Sequence, residues 1–170
     1  MAEPVGFREY VAARQASLLR GAWLLTGDWY AAEDLVQVAL AKVWPRWEAL
    51  QSGGDPDAYV RRVVVTSFLT WRRRRWHGET PTQALPDQPA RADPLVGVEL
   101  RDALTRLLPT LTSRERAVLV LRYYDDLTEV QTAAILGWSV GTVKSQNARA
   151  LGKLRVVAPG FHLKAEDAHD

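Results

Sequence analysis

The chain has 170 residues, of which 47% are hydrophobic, and a formal net charge of +2, so it can bury a core, and bulk charge alone indicates no partner. It contains no cysteine, which excludes disulfides, thiolate metal sites and a cysteine nucleophile. Because the sequence shows neither a signal-peptide pattern nor an apolar run near the ~20 residues of a membrane span, we expect a cytoplasmic protein without membrane insertion.

Two helices are predicted at the start of the chain. Residues 7–26 carry apolar side chains at helical spacing up to Gly27, and Asp28 can cap a second helix over residues 29–44. Pro45 should break or kink this second helix. The face opposite its apolar stripe groups three polar side chains, which usually indicates a solvated surface: Glu33, Asp34 and Gln37.

A third helix is predicted over residues 56–76, after a loop over residues 48–57. Asp55-Pro56 is a helix start signal, with Asp at the cap and Pro in the first turn. A strand is the competing interpretation at residues 63–66, where β-branched side chains cluster. This helix interleaves arginines with aromatic rings and has no acidic residue from residue 58 onward. Such a composition is typical of single-stranded nucleic-acid binding. Taken alone, the aromatic rings are more often part of a hydrophobic core. Four consecutive arginines favour an anionic partner.

The middle of the chain separates two domains. Residues 78–95 hold four prolines among Gln, Thr and Asp, which predicts a linker with an extended backbone. The sequence therefore predicts domains at residues 1–77 and 96–157. We expect residues 158–170 to form a disordered tail.

Four helices are predicted in the second domain. The first covers residues 98–108, and the second covers residues 113–124 after a capping box formed by Thr112 and Glu115. The third and fourth are short and share residues 127–155. Together they would enclose one small core.

The stretch 127–155 is typical of a helix-turn-helix. Thr128 can start a helix in a capping box, Gly137 can end it in a tight turn, and Ser139 can cap the next helix. Such a unit can place its second helix in the major groove of DNA. A surface hairpin with an ordinary basic face is the alternative, because such patterns also occur by chance.

The outward side of that last helix supports DNA binding. Small residues allow close approach to base edges, Gln and Arg can make bidentate contacts to adenine and guanine, and Lys and Arg reach phosphates. No carboxylate lies between Glu129 and Arg155. Asn147 falls on the inward side with Val143 and Leu151, so it needs either a hydrogen-bond partner or a shifted helix.

Nothing in the sequence indicates catalysis. His77, His162 and His169 have no partner at metal-ligand spacing, and no phosphate-binding loop, nucleophile elbow or dinucleotide glycine pattern occurs. Glu33 and Asp34 are adjacent on a helix and therefore diverge. We expect no enzyme, no catalytic residue, no metal and no cofactor.

Two segments in this order resemble bacterial RNA polymerase sigma factors of the extracytoplasmic-function group. They are AAEDLVQVALAKVW and LPTLTSRERAVLVLRYYDDLTEVQTAAILGWSVGTVKSQNARALGKLR, with the arginine-ended helix and the Pro-rich linker between them. The resemblance covers about residues 7–155. It implies an all-α protein of two small helical domains joined by a Pro-rich linker, the second containing the helix-turn-helix. It also implies binding to core polymerase, recognition of the −35 and −10 promoter elements, and promotion of DNA melting.

The resemblance also implies roles for single residues and for the loop at residues 51–57, which would read the −10 element. The family's contact to the clamp of the largest catalytic polymerase subunit falls on Glu33, Asp34, Leu35, Gln37, Arg46 and Trp47. The −10 DNA would be held by Arg61, Arg62, Thr66, Arg72, Arg73, Arg74 and Arg75. The −35 element would be read by Thr142, Lys144, Ser145, Gln146, Arg149 and Lys153. An anti-sigma protein is a further partner that the resemblance allows.

Three departures from the family pattern bear on promoter preference. Thr66 stands where the family often has Asn, Pro45 interrupts a segment that is usually helical, and Gln146-Asn147 replaces the common Arg-Leu pair. Two other classes stay open from the residues. A stand-alone helix-turn-helix regulator would bind a palindrome tightly as a dimer, and a helical adaptor of polymerase would never read sequence.

Overall fold

The structure is a computed structural model and describes residues 2–76 and 97–163. Across these ranges the chain forms helices and helical turns without any strand, so the strand considered for residues 63–66 is excluded. The chain divides into two compact units at Thr70–Trp71. The predicted linker, residues 78–95, and residues 164–170 of the predicted tail lie outside the described residues. No described helix is both long and apolar enough to cross a membrane.

Four helices form the first unit: α1 (Phe7–Thr26), α2 (Trp29–Val43), α3 (Trp47–Gly53) and α4 (Pro56–Trp76). The last turns of α4 extend beyond the end of this unit at Thr70. Gly27, with a φ of 72°, ends α1. The Asp28 carboxylate caps α2 by accepting from the backbone N–H groups of Tyr30 (2.7 Å) and Ala31 (3.1 Å). A 3-10 turn containing Pro45 follows α2, because proline removes the helical hydrogen-bond donor at that position. The boundaries of α1, α2 and α4 confirm the sequence prediction.

The loop predicted for residues 48–57 is wrong over most of its length. Residues up to Gly53 form α3, and only a short turn remains before Asp55 accepts from the Ala58 N–H (3.1 Å) at the start of α4. A seven-residue helix has no stability by itself. Its first residue, Trp47, is 2% exposed, so tertiary packing holds α3 in place, and the sequence pattern alone does not reveal this.

An aromatic cluster holds α3 against the start of α1. Phe7 meets Trp44 and Trp47 edge-on, with ring centroids 4.9 and 5.2 Å apart, and Tyr10 lies 4.8 Å from Trp47. The Trp47 indole N–H donates to the Val5 carbonyl (3.0 Å). Burial raises the pKa of Tyr10 above its usual value. The cluster therefore fixes the segment before α1 to the rest of the unit.

The second unit contains four more helices in its described part: α5 (Val98–Leu107), α6 (Ser113–Leu119), α7 (Glu129–Leu136) and α8 (Val140–Val157). The helix predicted for residues 113–124 is α-helical only to Leu119 and continues as a π turn at Val120–Tyr124. Helices α5, α6 and α7 all pack against α8. Val118, Ala133 and Val143 form a buried cluster between them.

Thr132 is an imperfect element of this core. Its side chain is fully buried, and its hydroxyl has no hydrogen-bond partner among the described residues. An unpaired buried hydroxyl lowers stability. We expect Thr132→Val to raise the free energy of unfolding of the second unit by about 1 kcal/mol, measured by hydrogen exchange of α7 amides in urea.

The matched control for that prediction is Thr105→Val. Thr105 is exposed on α5, and its hydroxyl donates to the Arg101 carbonyl (2.9 Å). That change should therefore give no stabilisation. Equal effects of the two substitutions would contradict the explanation.

Candidate nucleic-acid interface

Helices α7 and α8 form the predicted helix-turn-helix. Thr128 and Gln131 make a reciprocal capping box: the Gln131 N–H donates to Thr128 Oγ1 (3.1 Å), and the Thr128 N–H donates to Gln131 Oε1 (2.9 Å). Gly137 ends α7 with a φ of 68°, a left-handed conformation that favours glycine. Ser139 caps α8 by accepting from the Thr142 N–H (3.1 Å). Each predicted start and stop is therefore confirmed.

The two faces of α8 differ sharply. Val143, Ala150 and Leu154 are buried with 0%, 0% and 3% exposure. The opposite side holds most of the predicted −35 residues: Lys144, Ser145 and Arg149 are exposed, and Thr142 and Gln146 are half-buried. Because the inward side is packed, this outward side is the surface of α8 that a DNA groove could meet.

Lys153 is arranged differently from the other predicted −35 residues. Its ammonium donates to both carboxylate oxygens of Glu115 (2.8 and 3.1 Å) and to the Thr110 carbonyl (2.9 Å). The Glu115 side chain is 4% exposed and also accepts from the Thr112 N–H (3.1 Å) in the α6 capping box. Lys153 therefore ties α8 to the start of α6, and its predicted contact to DNA would require it to leave these partners.

A carboxylate also approaches the outward face. Glu129, in the first turn of α7, lies 3.7 Å from the Lys144 ammonium. In the sequence, Glu129 is only the last carboxylate before a stretch that has none. Pairing between different helices is not visible from sequence spacing, so this contact was missed.

The predicted −10 residues lie on α4. Arg62, Arg73 and Arg74 are exposed, Arg61 and Arg72 are half-buried, and the half-buried Thr66 donates its hydroxyl to the Arg62 carbonyl (2.8 Å). Arg75 belongs to the same helix, but its side chain lies outside the described part. Helical spacing places Arg62, Thr66 and Arg73 along one side. Phe68 is 2% exposed, so this ring is core, whereas Tyr59 and Trp71 are half-buried.

The predicted polymerase contact is only partly at the surface. Asp34, Gln37 and Arg46 are exposed and Glu33 is half-buried. Leu35 and Trp47, by contrast, are 0% and 2% exposed. Both side chains therefore pack inside the first unit, and a contact of either to polymerase stays a prediction. Within the described ranges, no cluster of acidic and histidine side chains could hold a metal ion.

Sequence comparisons match both halves of the chain. The family described as Sigma-70 region 2 matches residues 11–78, and Sigma-70, region 4 matches residues 107–156. The chain is 42% identical over 155 residues to an RNA polymerase sigma-E factor of Streptomyces coelicolor, covering 91% of this chain and 87% of the relative. It is 32% identical over 165 residues to the ECF RNA polymerase sigma factor SigL of Mycobacterium tuberculosis, covering 91% and 90%.

Solved structures share the fold. The sigma factor RpoE of Bartonella quintana, crystallised with the anti-sigma factor NepR, has a TM-score of 0.72 at 23% identity, covering 92% of this chain and 98% of that one. CnrH, solved with the cytosolic domain of CnrY, has a TM-score of 0.59 at 22% identity, covering 92% and 89%. At this level of identity the likeness concerns the fold alone.

Proposed function

The chain belongs to the extracytoplasmic-function (ECF) family of RNA polymerase sigma factors, and from this premise we propose how its residues divide the work of starting transcription. As a sigma factor of this type it binds core polymerase, recognises the −35 and −10 promoter elements and promotes DNA melting. Its relatives are initiation factors and not enzymes. Because it acts where polymerase meets promoter DNA, we propose that it works in the cytoplasm.

The −35 element is read by the outward face of α8. Ser145, Gln146 and Arg149 supply the contacts to base edges, and Lys144 reaches a phosphate. The observation that carries this assignment is the opposition on α8 between a fully buried side and an exposed side rich in hydrogen-bonding residues. Thr142 contributes less, because its hydroxyl already lies 2.9 Å from that of Ser139.

The first domain holds polymerase and the melted −10 strand. The exposed carboxylate and amide on α2, Asp34 and Gln37, face the polymerase clamp together with Glu33 and Arg46. The exposed arginines of α4 follow the DNA backbone, as guanidinium groups do on single strands. Each DNA contact is weak by itself, and polymerase makes them additive by tethering both domains to one promoter.

A mobility-shift experiment tests this function against the two classes left open by the sequence, which the comparisons do not favour. We expect the free chain to bind promoter duplex weakly and to bind it selectively once core polymerase is added. Tight binding without polymerase would indicate a stand-alone regulator. Association with polymerase without promoter selectivity would indicate an adaptor.

An anti-sigma protein is a further proposed partner. Two sigma factors of the same fold, RpoE and CnrH, were solved with the anti-sigma factor NepR and with the cytosolic domain of CnrY. Co-purification of this chain from its native host would test whether it has a comparable partner.

Replacing Glu129 should strengthen −35 binding. We expect Glu129→Gln to raise the affinity of holoenzyme for its promoter about two- to fivefold at low salt, because Lys144 would lose a competing carboxylate. Promoter titration at several salt concentrations measures this, and the gain should shrink as salt rises. Glu99→Gln, which removes a first-turn carboxylate from α5, is the control and should change nothing. If both variants gained promoter affinity equally, the gain would come from the change in net charge and not from the release of Lys144.

A further inference from the structure

Asn147 is a polar residue on the packed side of α8. It lies one helical turn from the fully buried Val143 and is half-buried itself. Its Nδ2 donates to the Tyr123 hydroxyl (3.0 Å), across from α8 to the π turn that follows α6. Tyr123 is therefore the hydrogen-bond partner of Asn147.

Tyr123 is itself held in place by the segment around it. The neighbouring Arg122 guanidinium lies 5.8 Å from the Tyr123 ring centroid and donates to the Leu127 carbonyl. Two backbone bonds hold the end of the π turn and the loop after it: Asp125 N–H to the Val120 carbonyl (2.9 Å) and Leu127 N–H to the Leu121 carbonyl (3.0 Å). These contacts hold the segment around Tyr123 in place, so the Tyr123 hydroxyl is a fixed hydrogen-bond partner for a residue on α8.

The hydrogen bond between Asn147 and Tyr123 contributes little to the stability of the second unit. Asn147 Oδ1 is buried and has no hydrogen-bond partner among the described residues, so the amide is only half satisfied. A half-satisfied buried amide is less stable than an apolar side chain of similar size. What the amide provides, and an apolar side chain would not, is direction, because a hydrogen bond constrains both distance and angle.

We propose that the Tyr123–Asn147 hydrogen bond fixes the rotation of α8 about its axis and thereby sets which −35 bases the outward face reads. The inference rests on the proposed role of α8 in −35 recognition. A rotation of about 15° moves an atom roughly 7 Å from the helix axis by about 2 Å, enough to break a bidentate contact to a base edge. Asn147 and Tyr123 are positioning residues and do not touch DNA themselves.

The test compares stability with promoter selectivity in the same variants. Asn147→Leu removes the amide, and Tyr123→Phe removes only the hydroxyl. Each variant is assembled with core polymerase and presented with a promoter pool randomised in the −35 element. We expect preference for the selected sequence over its single-base variants to fall about three- to tenfold in both, and no further in the double variant, because the two changes remove one bond.

We do not expect the stability of Asn147→Leu to fall together with its −35 preference. Asn147→Leu should leave the urea midpoint unchanged or raise it, since it removes an unpaired buried atom. Thr132→Val is the matched control, because it also removes an unpaired buried oxygen without touching the bond, and its −35 preference should equal that of the wild type.

Two results would overturn the proposal. One is an unchanged −35 preference in Tyr123→Phe, which keeps the ring and therefore keeps the fold. The other is a loss of preference that simply follows a loss of stability across all variants. Failure of the proposed function would look different, since the wild-type holoenzyme would then select no −35 sequence from the pool.

Discussion

Trp47→Ala is expected to destabilise the first domain by roughly 3–5 kcal/mol, a large part of the stability of a small domain. The substitution empties the centre of the ring cluster with Phe7 and Tyr10. It also removes the bond to the Val5 carbonyl. Hydrogen exchange read segment by segment is the right measurement, because two domains need not unfold in one step. Protection should fall in α1 to α3 and persist in α7 and α8.

Trp47→Phe is the milder change. It keeps one aromatic ring in the cluster and loses the indole N–H together with the second ring of the indole, so a smaller loss of about 1–2 kcal/mol is expected. Core-polymerase binding by Trp47→Phe should remain close to wild type, because Trp47 is 2% exposed. If Trp47→Phe stayed fully folded yet bound polymerase poorly, that result would support the predicted role of Trp47 in the polymerase contact.

The second large effect is expected at Arg149. Arg149→Ala should weaken −35-dependent open-complex formation by roughly 1–3 kcal/mol, or about 5- to 150-fold. The reason is that Arg149 is exposed on the outward face of α8 and a bidentate contact to guanine would be lost. The measurement uses a promoter that the wild-type holoenzyme selects from a pool randomised in the −35 element, and the same promoter with that element scrambled.

Arg155→Ala is the matched control for that experiment. Arg155 is also exposed on α8, but six residues along the helix it points about 120° away from Arg149. It should therefore change −35 preference little. If the two substitutions had equal effects on the selected promoter and equal effects on the scrambled one, the assigned reading face would be wrong.

Local signals in the sequence predicted most of the fold. Asp28, Thr112, Thr128 and Ser139 start helices as expected, because a cap depends on residues within three positions of each other. The existence of α3 was missed because it depends on Trp47, whose contacts come from a segment some 40 residues earlier. The change to a π turn after Leu119 has no local signal that we identify.

The same division applies to the candidate site. Helical periodicity separated the outward Arg149 from the inward Val143 correctly, because both lie on one helix. The engagement of Lys153 with Glu115, and the burial of Leu35 and Trp47, depend on neighbouring helices. The sequence likewise indicated that Asn147 would need a hydrogen-bond partner if α8 kept its register. It did not identify that partner, because Tyr123 lies 24 positions away.

The link between Val5 and Trp47 matters to anyone handling the protein at the bench. Trimming the first six residues would leave an indole N–H without its acceptor and would also remove Gly6, whose left-handed backbone precedes α1. Affinity handles and fluorescent labels therefore belong at the other terminus of the chain, after residue 163.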